Sequence, residues 1–370
     1  MPADDLAGGP RVVVAGGHSA GHIEPALNFA DAMRRLRPGS RITALGTVRG
    51  LDTTLIPQRG YPLELIPPVP LSRKLDEALL ATPVRLRAAV VAAGAVLDRT
   101  EAEVVVGFGG YVAIPAYLAA RRRRVPIVVH EANARPGVAN RVGARLTRHV
   151  FTAAPSVRLA HATAIGIPLR PAIATLDRGA LRAEARAKFG LAPDGPVVMV
   201  TGGSQGAQAV NTAVSGAVGA FREAGVQVLH IAGPKNPVEV AAGVPPYVVV
   251  PYVDEMHYAY AASDFVICRS GAMTVAELTA VGLPAAYVPL PLRGGEQGLN
   301  AADVVAAGGG ILVANERLTP EWIAREVLPR VTDPAVLNRM SRAAESSGAR
   351  DADQVLARNV LDIVARGHRR

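Results

Sequence analysis

Four glycine-rich turns and two histidines hold the residue types in this sequence that can do chemistry. Gly16-Gly17-His18-Ser19-Ala20-Gly21-His22 follows one apolar run, and Gly202-Gly203-Ser204-Gln205-Gly206-Ala207 follows another. A glycine-rich turn that opens a helix aims backbone N–H groups and the positive end of the helix dipole at an anion. Close strand–helix packing asks for the same glycines, so one such turn alone is ambiguous. Several in one chain point to a phosphate or sugar phosphate. Neither turn reads G-x-G-x-x-G, and there is no G-x-x-x-x-G-K-[ST], so dinucleotide and P-loop chemistry lose support. The third turn, Gly107-Phe108-Gly109-Gly110-Tyr111, is predicted to follow a strand over Val104–Val106. The fourth runs Cys268-Arg269-Ser270-Gly271 into a helix that carries Thr274 and Glu277. A diphosphate could sit on that helix start, with Ser270 adding a hydroxyl. Glu277, about one and a half turns on, could accept both hydroxyls of a ribose; a glutamate favoured by the helix dipole has the same spacing. His22 lies beside a helix start, and His130-Glu131-Ala132-Asn133 follows the strand expected over Ile127–Val129. Either histidine can exchange a proton near neutral pH and serve a hydroxyl nucleophile. A packed or capping histidine is the plainer reading of each. No metal site is expected. No H-x-x-x-H pair has a third ligand, and the one D-x-D, Asp351–Asp353, falls in a helical stretch. Helix dipoles and side-chain donors would have to carry the charge of a departing diphosphate.

These turns need strands and helices to hold them. Short β-branched runs alternate with helical stretches: Val12–Ala15, Ile42–Leu45, Val104–Val106 and Ile127–His130, then Val197–Thr201, Val226–Ile231, Tyr247–Val250, Phe265–Cys268 and Ala285–Val288. Continuous apolar strands between amphipathic helices predict parallel sheets covered on both faces. The plan runs twice, each time opening on a strand, Gly-Gly, a serine-containing turn and a helix. The expected fold is α/β, two doubly wound domains with a crevice between them. The first spans 10–168 and the second 169–349. The break is placed where Pro168 and Pro171 interrupt the pattern, and 350–368 reads as a helix that could pack back on the first domain.

At 370 residues, 49% apolar and 19% charged, the chain can bury two cores and is not a low-hydropathy disordered one. One cysteine, Cys268, excludes a disulfide scaffold, and with no secretory signal at the start a reduced cytoplasmic setting is the default. Apolar runs such as Ala88–Leu97 are too short to span a bilayer. The net charge of +9 is uneven: residues 1–170 hold 22 Lys/Arg against 12 Asp/Glu, and residues 171–370 hold 18 against 19. The first half therefore suits a polyanionic partner such as anionic lipid, nucleic acid or a phosphorylated substrate. Arg121–Arg124 supplies part of the excess, though a solvated helix end reads the same. With 4% aromatic residues and no recognition motif, a nucleic-acid partner is set aside.

Taken in order, these pieces resemble one family. Gly16-Gly17 with Ser19-Ala20-Gly21-His22 and Pro25, Gly107–Tyr111, His130-Glu131-x-Asn133, Gly166-Ile167-Pro168-Leu169-Arg170, Gly202–Ala207, Tyr252-Val253-Asp254-Glu255-Met256, Cys268–Thr274 with Glu277, and Gln297 with Asn300 look like the MurG glycosyltransferases of peptidoglycan synthesis. The match covers nearly the whole chain. The resemblance implies a GT-B fold and an inverting transfer without metal or cofactor. N-acetylglucosamine would pass from UDP-N-acetylglucosamine to the C4 hydroxyl of the muramoyl sugar of lipid I, giving lipid II. It also implies work at the cytoplasmic face of the cell membrane as a peripheral protein, a link to cell shape and division, and cell-wall synthesis proteins as candidate partners.

By the same resemblance the second domain takes the donor. Tyr252 and Val253 would lie along the uracil, Glu277 would hold the ribose, Ser204, Ser270 and Thr274 would face the diphosphate with Arg269, Gln297 would bind the sugar, and Arg170 would sit near the phosphates. The acceptor side would be built from Gly17, Gly21, His22, Gly109, Gly110 and Tyr111. Ser19 and Asn133 stand beside these turns and are counted with the donor-binding residues as well. His22 is the first candidate base, with His130 and Glu131 behind it. Three positions depart from the family pattern. His18 stands where a small residue is usual, Ile167 replaces an Asn and its hydrogen bond, and Glu296 replaces a Gln before Gln297. Two other readings share the scaffold: a GT-B enzyme acting on another lipid, and a UDP-N-acetylglucosamine 2-epimerase, which needs no lipid acceptor. For membrane contact, Leu71-Ser72-Arg73-Lys74-Leu75 followed by Leu79, Leu80, Val84, Leu86, Val90 and Val91, with Arg85 and Arg87, sets apolar residues at helical spacing among cations. An ordinary domain helix with a buried apolar face is the alternative.

Overall fold

A computed structural model describes residues 9–69, 82–291 and 295–367. The chain divides into two compact units, one ending at Leu169 and regaining the C-terminal segment from Asp351, the other Arg170–Arg350.

In the first unit the strands are β1 (Arg11–Gly16), β2 (Arg41–Gly46), β3 (Leu63–Leu65), β4 (Val104–Gly109), β5 (Ile127–Glu131), β6 (Val150–Thr152) and β7 (Ala162–Ala164). They form one sheet in the order β3-β2-β1-β4-β5-β6-β7, and every pairing is parallel. Val12–Ala15 and Val104–Val106 are fully buried because helices cover both faces. Helix Ala20–Leu36 packs on one face beside helix Ala352–Gly367, whose Leu356, Ala357 and Val360 enter the same core. Arg35 donates to the buried Asp353 and ties the two helices together. Helices Thr82–Arg99 and Ala113–Arg123 cover the other face through Ala93, Val96, Ala116 and Ala120.

The second unit repeats the plan. Its strands are β8 (Val197–Thr201), β9 (Gln227–Ile231), β10 (Tyr247–Val250), β11 (Phe265–Cys268), β12 (Ala285–Tyr287) and β13 (Gly310–Leu312), all parallel, in the order β10-β9-β8-β11-β12-β13. Asp264 immediately precedes β11 and accepts from Val197 N and from the sealed guanidinium of Arg186. That cation also donates to the carbonyls of Pro193 and Gly195, closing the loop before β8.

Both sheets reverse direction of winding once. The switch falls between β1 and β4 in the first and between β8 and β11 in the second. Ligands of open α/β sheets bind beyond the carboxyl ends of the strands at such a point. All four glycine-rich segments found in the sequence lie at these two places. One boundary differs from expectation. β4 runs on through Gly109, so Gly107 is a strand residue and the turn begins at Gly110. A Cβ on Gly107 would lie 2.0 Å from the Tyr117 hydroxyl, so this glycine admits the neighbouring helix and serves packing. Arg121–Arg124 form the exposed end of helix Ala113–Arg123, where Arg123 makes a two-bond contact with Asp98.

Candidate functional site

The site residues of the first unit cluster beyond β1 and β4. Ser19 caps helix Ala20–Leu36 with an extended backbone, and its side chain turns to His22 instead of the helix N–H groups. Ser19 Oγ and His22 Nδ1 lie 3.0 Å apart. The other ring nitrogen faces the β4 terminus, since a Cβ on Gly109 would sit 3.2 Å from His22 Nε2. Gly110 has φ +77°, and a Cβ there would meet the carbonyl oxygen of Gly17 at 2.6 Å. The two turns thus touch through bare backbone, which only glycine permits. Burial holds the His22 pKa below the usual histidine value, against an opposing pull from Glu131.

Asp52 was not among the residues picked from the sequence, yet it anchors this cluster. It is fully buried, and its carboxylate accepts from His18 N at 2.6 Å and from Thr47 N at 2.8 Å. Its only sequence signal is an acidic residue at the start of a short helix. His18 has φ +78°, a left-handed conformation that a glycine adopts without strain, which accounts for a small residue being usual there. Its ring meets the exposed Tyr111 edge-on at 5.6 Å.

His130 and Glu131 do not stand where the sequence reading put them. Both belong to β5 and are buried, with His130 fully sealed. His130 Nε2 lies 2.8 Å from the carbonyl of Gly166, and burial pushes its pKa down to about 4, so the neutral ring donates. Glu131 is committed on both oxygens. Oε1 accepts from Asn133 N and Nδ2, and Oε2 from Gly137 N and Asn140 Nδ2, all within 3.3 Å. These two side chains hold the loop that carries Asn133 and fix the chain at Gly166. The Ile167 departure leaves no gap. Ile167 is buried, and the carbonyls on either side of it are held by His130 and by Asn28 Nδ2, the latter at 2.9 Å from Pro168 O.

In the second unit, Ser204 is exposed in the turn after β8. Gly206 there has φ +74°, and a Cβ would lie 2.1 Å from Ala232 O. Across the switch point, Ser270 ends the turn after β11 and Gly271 caps helix Ala272–Ala280. Ser270 is sealed from solvent, and its Oγ has no hydrogen-bond partner. Thr274 and Glu277 follow on the same helix, half-buried. Arg269 is turned away from this helix start. Its guanidinium donates to the carbonyls of Val288 and Pro289. Val253 lies half-buried after β10, beside an exposed Tyr252. Gln297 Oε1 accepts from Leu290 N at 2.9 Å, which leaves its amide N–H groups to donate, while Glu296 is exposed. Arg170 opens the short helix Pro171–Ala174. Sequence reasoning missed Tyr260. Its hydroxyl donates to Glu277 Oε2 at 2.6 Å.

Known proteins carry the same plan. Residues 12–152 match the glycosyltransferase family 28 N-terminal domain, and residues 197–356 match the family 28 C-terminal domain. A relative in Saccharopolyspora erythraea is 59% identical over 96% of this chain and 95% of its own length. Its name is UDP-N-acetylglucosamine--N-acetylmuramyl-(pentapeptide) pyrophosphoryl-undecaprenol N-acetylglucosamine transferase. One of the same name in Streptomyces avermitilis is 58% identical over 97% of this chain and its whole length. The chain belongs to the MurG family. The crystal structure of Acinetobacter baumannii MurG is similar at a TM-score of 0.78 and 26% identity, covering 96% of this chain and all of that one. The calicheamicin glycosyltransferase CalG4, at 20% identity and a TM-score of 0.66, shares the fold over 96% of this chain and 99% of its own. The fold is therefore GT-B, two Rossmann-like domains with a parallel sheet each. A UDP-GlcNAc 2-epimerase from Neisseria meningitidis has it too, at 12% identity and a TM-score of 0.64, so the scaffold does not separate a MurG enzyme from an isomerase.

Proposed function

We propose that this chain transfers N-acetylglucosamine from UDP-N-acetylglucosamine to the muramoyl C4 hydroxyl of lipid I, producing lipid II and UDP in peptidoglycan synthesis. The observation that carries the reading is identity of 56–59% over at least 95% of the chain with relatives named for this transfer. The two switch points supply a place for each substrate.

The donor belongs in the second unit. Uracil lies along Tyr252 and Val253, the ribose hydroxyls on Glu277, and the diphosphate between the Gly202–Ala207 turn and the N-terminus of helix Ala272–Ala280. As the glycosidic bond breaks, negative charge grows on the departing UDP. Backbone N–H groups of that helix start and the unpartnered Ser270 hydroxyl are fixed before the reaction, so they stabilise that charge without reorganising. Ser204 and Arg170 add donors, and the Gln297 amide donates to hydroxyls of the transferred sugar. No cofactor takes part.

The acceptor belongs in the first unit. Gly17, Gly21, Gly109 and Gly110 expose backbone to the lipid diphosphate, with Tyr111 at the rim and Asn133 beside it. With Nδ1–H donating to Ser19 Oγ, His22 presents the Nε2 lone pair to the acceptor hydroxyl. The hydroxyl oxygen attacks the anomeric carbon from the face opposite UDP, its proton passes to His22, and the configuration inverts. Ser19 then acts by orienting His22. Incubation with UDP-N-acetylglucosamine and lipid I should release UDP and form lipid II in equal amounts. UDP released at the same rate without lipid I would mean an isomerase or hydrolase instead.

A further inference from the structure

Tyr260 is among the largest side chains sealed in the second unit, at 2% exposure. A buried phenol must find a hydrogen-bond partner. It finds Glu277, whose Oε2 it meets at 2.6 Å, the length of a charge-assisted bond. The two residues come from different elements. Tyr260 is on helix Met256–Ala262 before β11, and Glu277 is on helix Ala272–Ala280 after it.

One cation fixes the spacing of those two helices. Arg178, at the start of helix Arg178–Lys188, donates to Tyr260 O and Ser263 O at the end of the first and to Val281 O and Gly282 O at the end of the second. Helix C-termini carry unpaired carbonyls and negative partial charge, so a guanidinium between two of them satisfies both. The phenol and the carboxylate are thereby held at bonding distance by the fold.

We infer that Tyr260 is a positioning residue for nucleoside recognition: by holding Oε2 it sets the Glu277 carboxylate in the orientation that distinguishes a ribose from a 2′-deoxyribose donor. This rests on the assignment of Glu277 to the ribose. A glutamate side chain has three rotatable bonds, and a ligand that had to order them would bind more weakly. The phenol does that ordering before the donor arrives. Burial, and then the carboxylate itself, keep the Tyr260 hydroxyl protonated and able to donate.

The test compares UDP-N-acetylglucosamine with its 2′-deoxyuridine analogue as donors for the unmodified enzyme, Tyr260→Phe, Glu277→Gln and the double variant. Tyr260→Phe should raise the KM for the ribose donor about 10-fold or more, the scale of a hydrogen bond to a charged group. Its kcat should stay within about threefold, because no bond made only in the transition state is lost. The KM for the deoxy donor should change far less, so the preference between the two donors collapses. In the Glu277→Gln background the same tyrosine change should add nothing further. If Tyr260→Phe weakens both donors equally, or keeps the full preference, the positioning role is wrong. If Glu277→Gln itself leaves the preference intact, the ribose assignment is wrong instead. Should Tyr260→Phe fail to fold, Glu277→Gln and the double variant, which lack the carboxylate charge, still decide. A further loss in the double variant overturns the proposal.

Discussion

His22, the proposed base, has three neighbours that bear on it: Ser19 at its Nδ1, Gly109 at its Nε2 and, through space, the carboxylate of Glu131. A base must be neutral to accept a proton. Burial lowers the pKa of this ring, and Glu131 restores only part of the loss. The rate of lipid II formation should therefore rise with pH and level off below the ordinary histidine value of about 6.5. His22→Ala should lower kcat by roughly 10²–10⁴-fold and abolish that limb, with the circular dichroism spectrum retained. A near-normal kcat would reduce His22 to a spacer. His130 is the contrasting case. A histidine after an apolar run reads the same in the sequence whether it lines a cleft or closes a sheet. What separates it from His22 is a 36-residue contact to the Gly166 carbonyl, which no local pattern contains. Asp52, Tyr260 and Glu131 are alike in this respect, because each acts through a partner distant in the chain or across a loop.

At the scale of the elements, the proposed division of substrates assigns the glycine turns of the two units separate roles. Gly110→Ala places a methyl group 2.6 Å from Gly17 O, and Gly206→Ala places one 2.1 Å from Ala232 O, both at positive φ. The backbone strain alone is about 1–2 kcal/mol in each case, and the contact adds to it. Gly110→Ala should raise the KM for lipid I and leave that for the donor. Gly206→Ala should do the reverse. Steady-state kinetics with each substrate varied in turn would show it, and a common effect on both would contradict the division of substrates between the units. The long strands that carry these turns were legible because Val, Ile and Ala recur there in runs buried on both faces. β3, β6, β7 and β13 escaped notice. Each has three residues, such as Leu63-Glu64-Leu65 or Ala162-Thr163-Ala164, too few for a pattern, and pairing with a longer neighbour makes them strands. The turn at Gly107 was misplaced by three residues because a glycine required by Tyr117 looks like a glycine required by a ligand.

The whole molecule carries two further consequences of where charge is buried and where it is exposed. Among the described residues each unit seals one neutral histidine, His130 in the first and His230 in the second, both with the pKa pushed down to about 4 by burial. In the unfolded chain both titrate near 6.5, so between pH 6.5 and 4 the unfolded state binds more protons. Stability is intact above that window and falls as pH drops through it, by on the order of 3 kcal/mol per histidine when complete. Thermal midpoints from pH 7 to 4.5 should show the fall, and His230→Gln should flatten it by about one proton. Exposed charge bears on the membrane. Lipid I keeps its polyprenyl tail in the bilayer, and among the described residues no helix is long and apolar enough to cross one. We propose that the enzyme meets the surface through its first unit, which carries the basic excess. The segment 70–81, with Leu71, Arg73, Lys74, Leu75, Leu79 and Leu80, lies outside the described residues. The adjoining helix Thr82–Arg99 buries Val90, Val96 and Leu97 as a domain helix does, yet it leaves Val84 72% and Val91 63% exposed alongside Arg85 and Arg87. Cations near an anionic bilayer contribute about 1 kcal/mol each, screened within about 10 Å at 0.1 M salt. The protein should therefore co-sediment with vesicles containing anionic lipid, less so as salt rises. Changing Arg73, Lys74, Arg85 and Arg87 together to Gln should weaken that binding by about 10²-fold or more, while turnover of a short-chain soluble acceptor is retained. Vesicle binding equal to that of the parent protein would place the membrane face elsewhere.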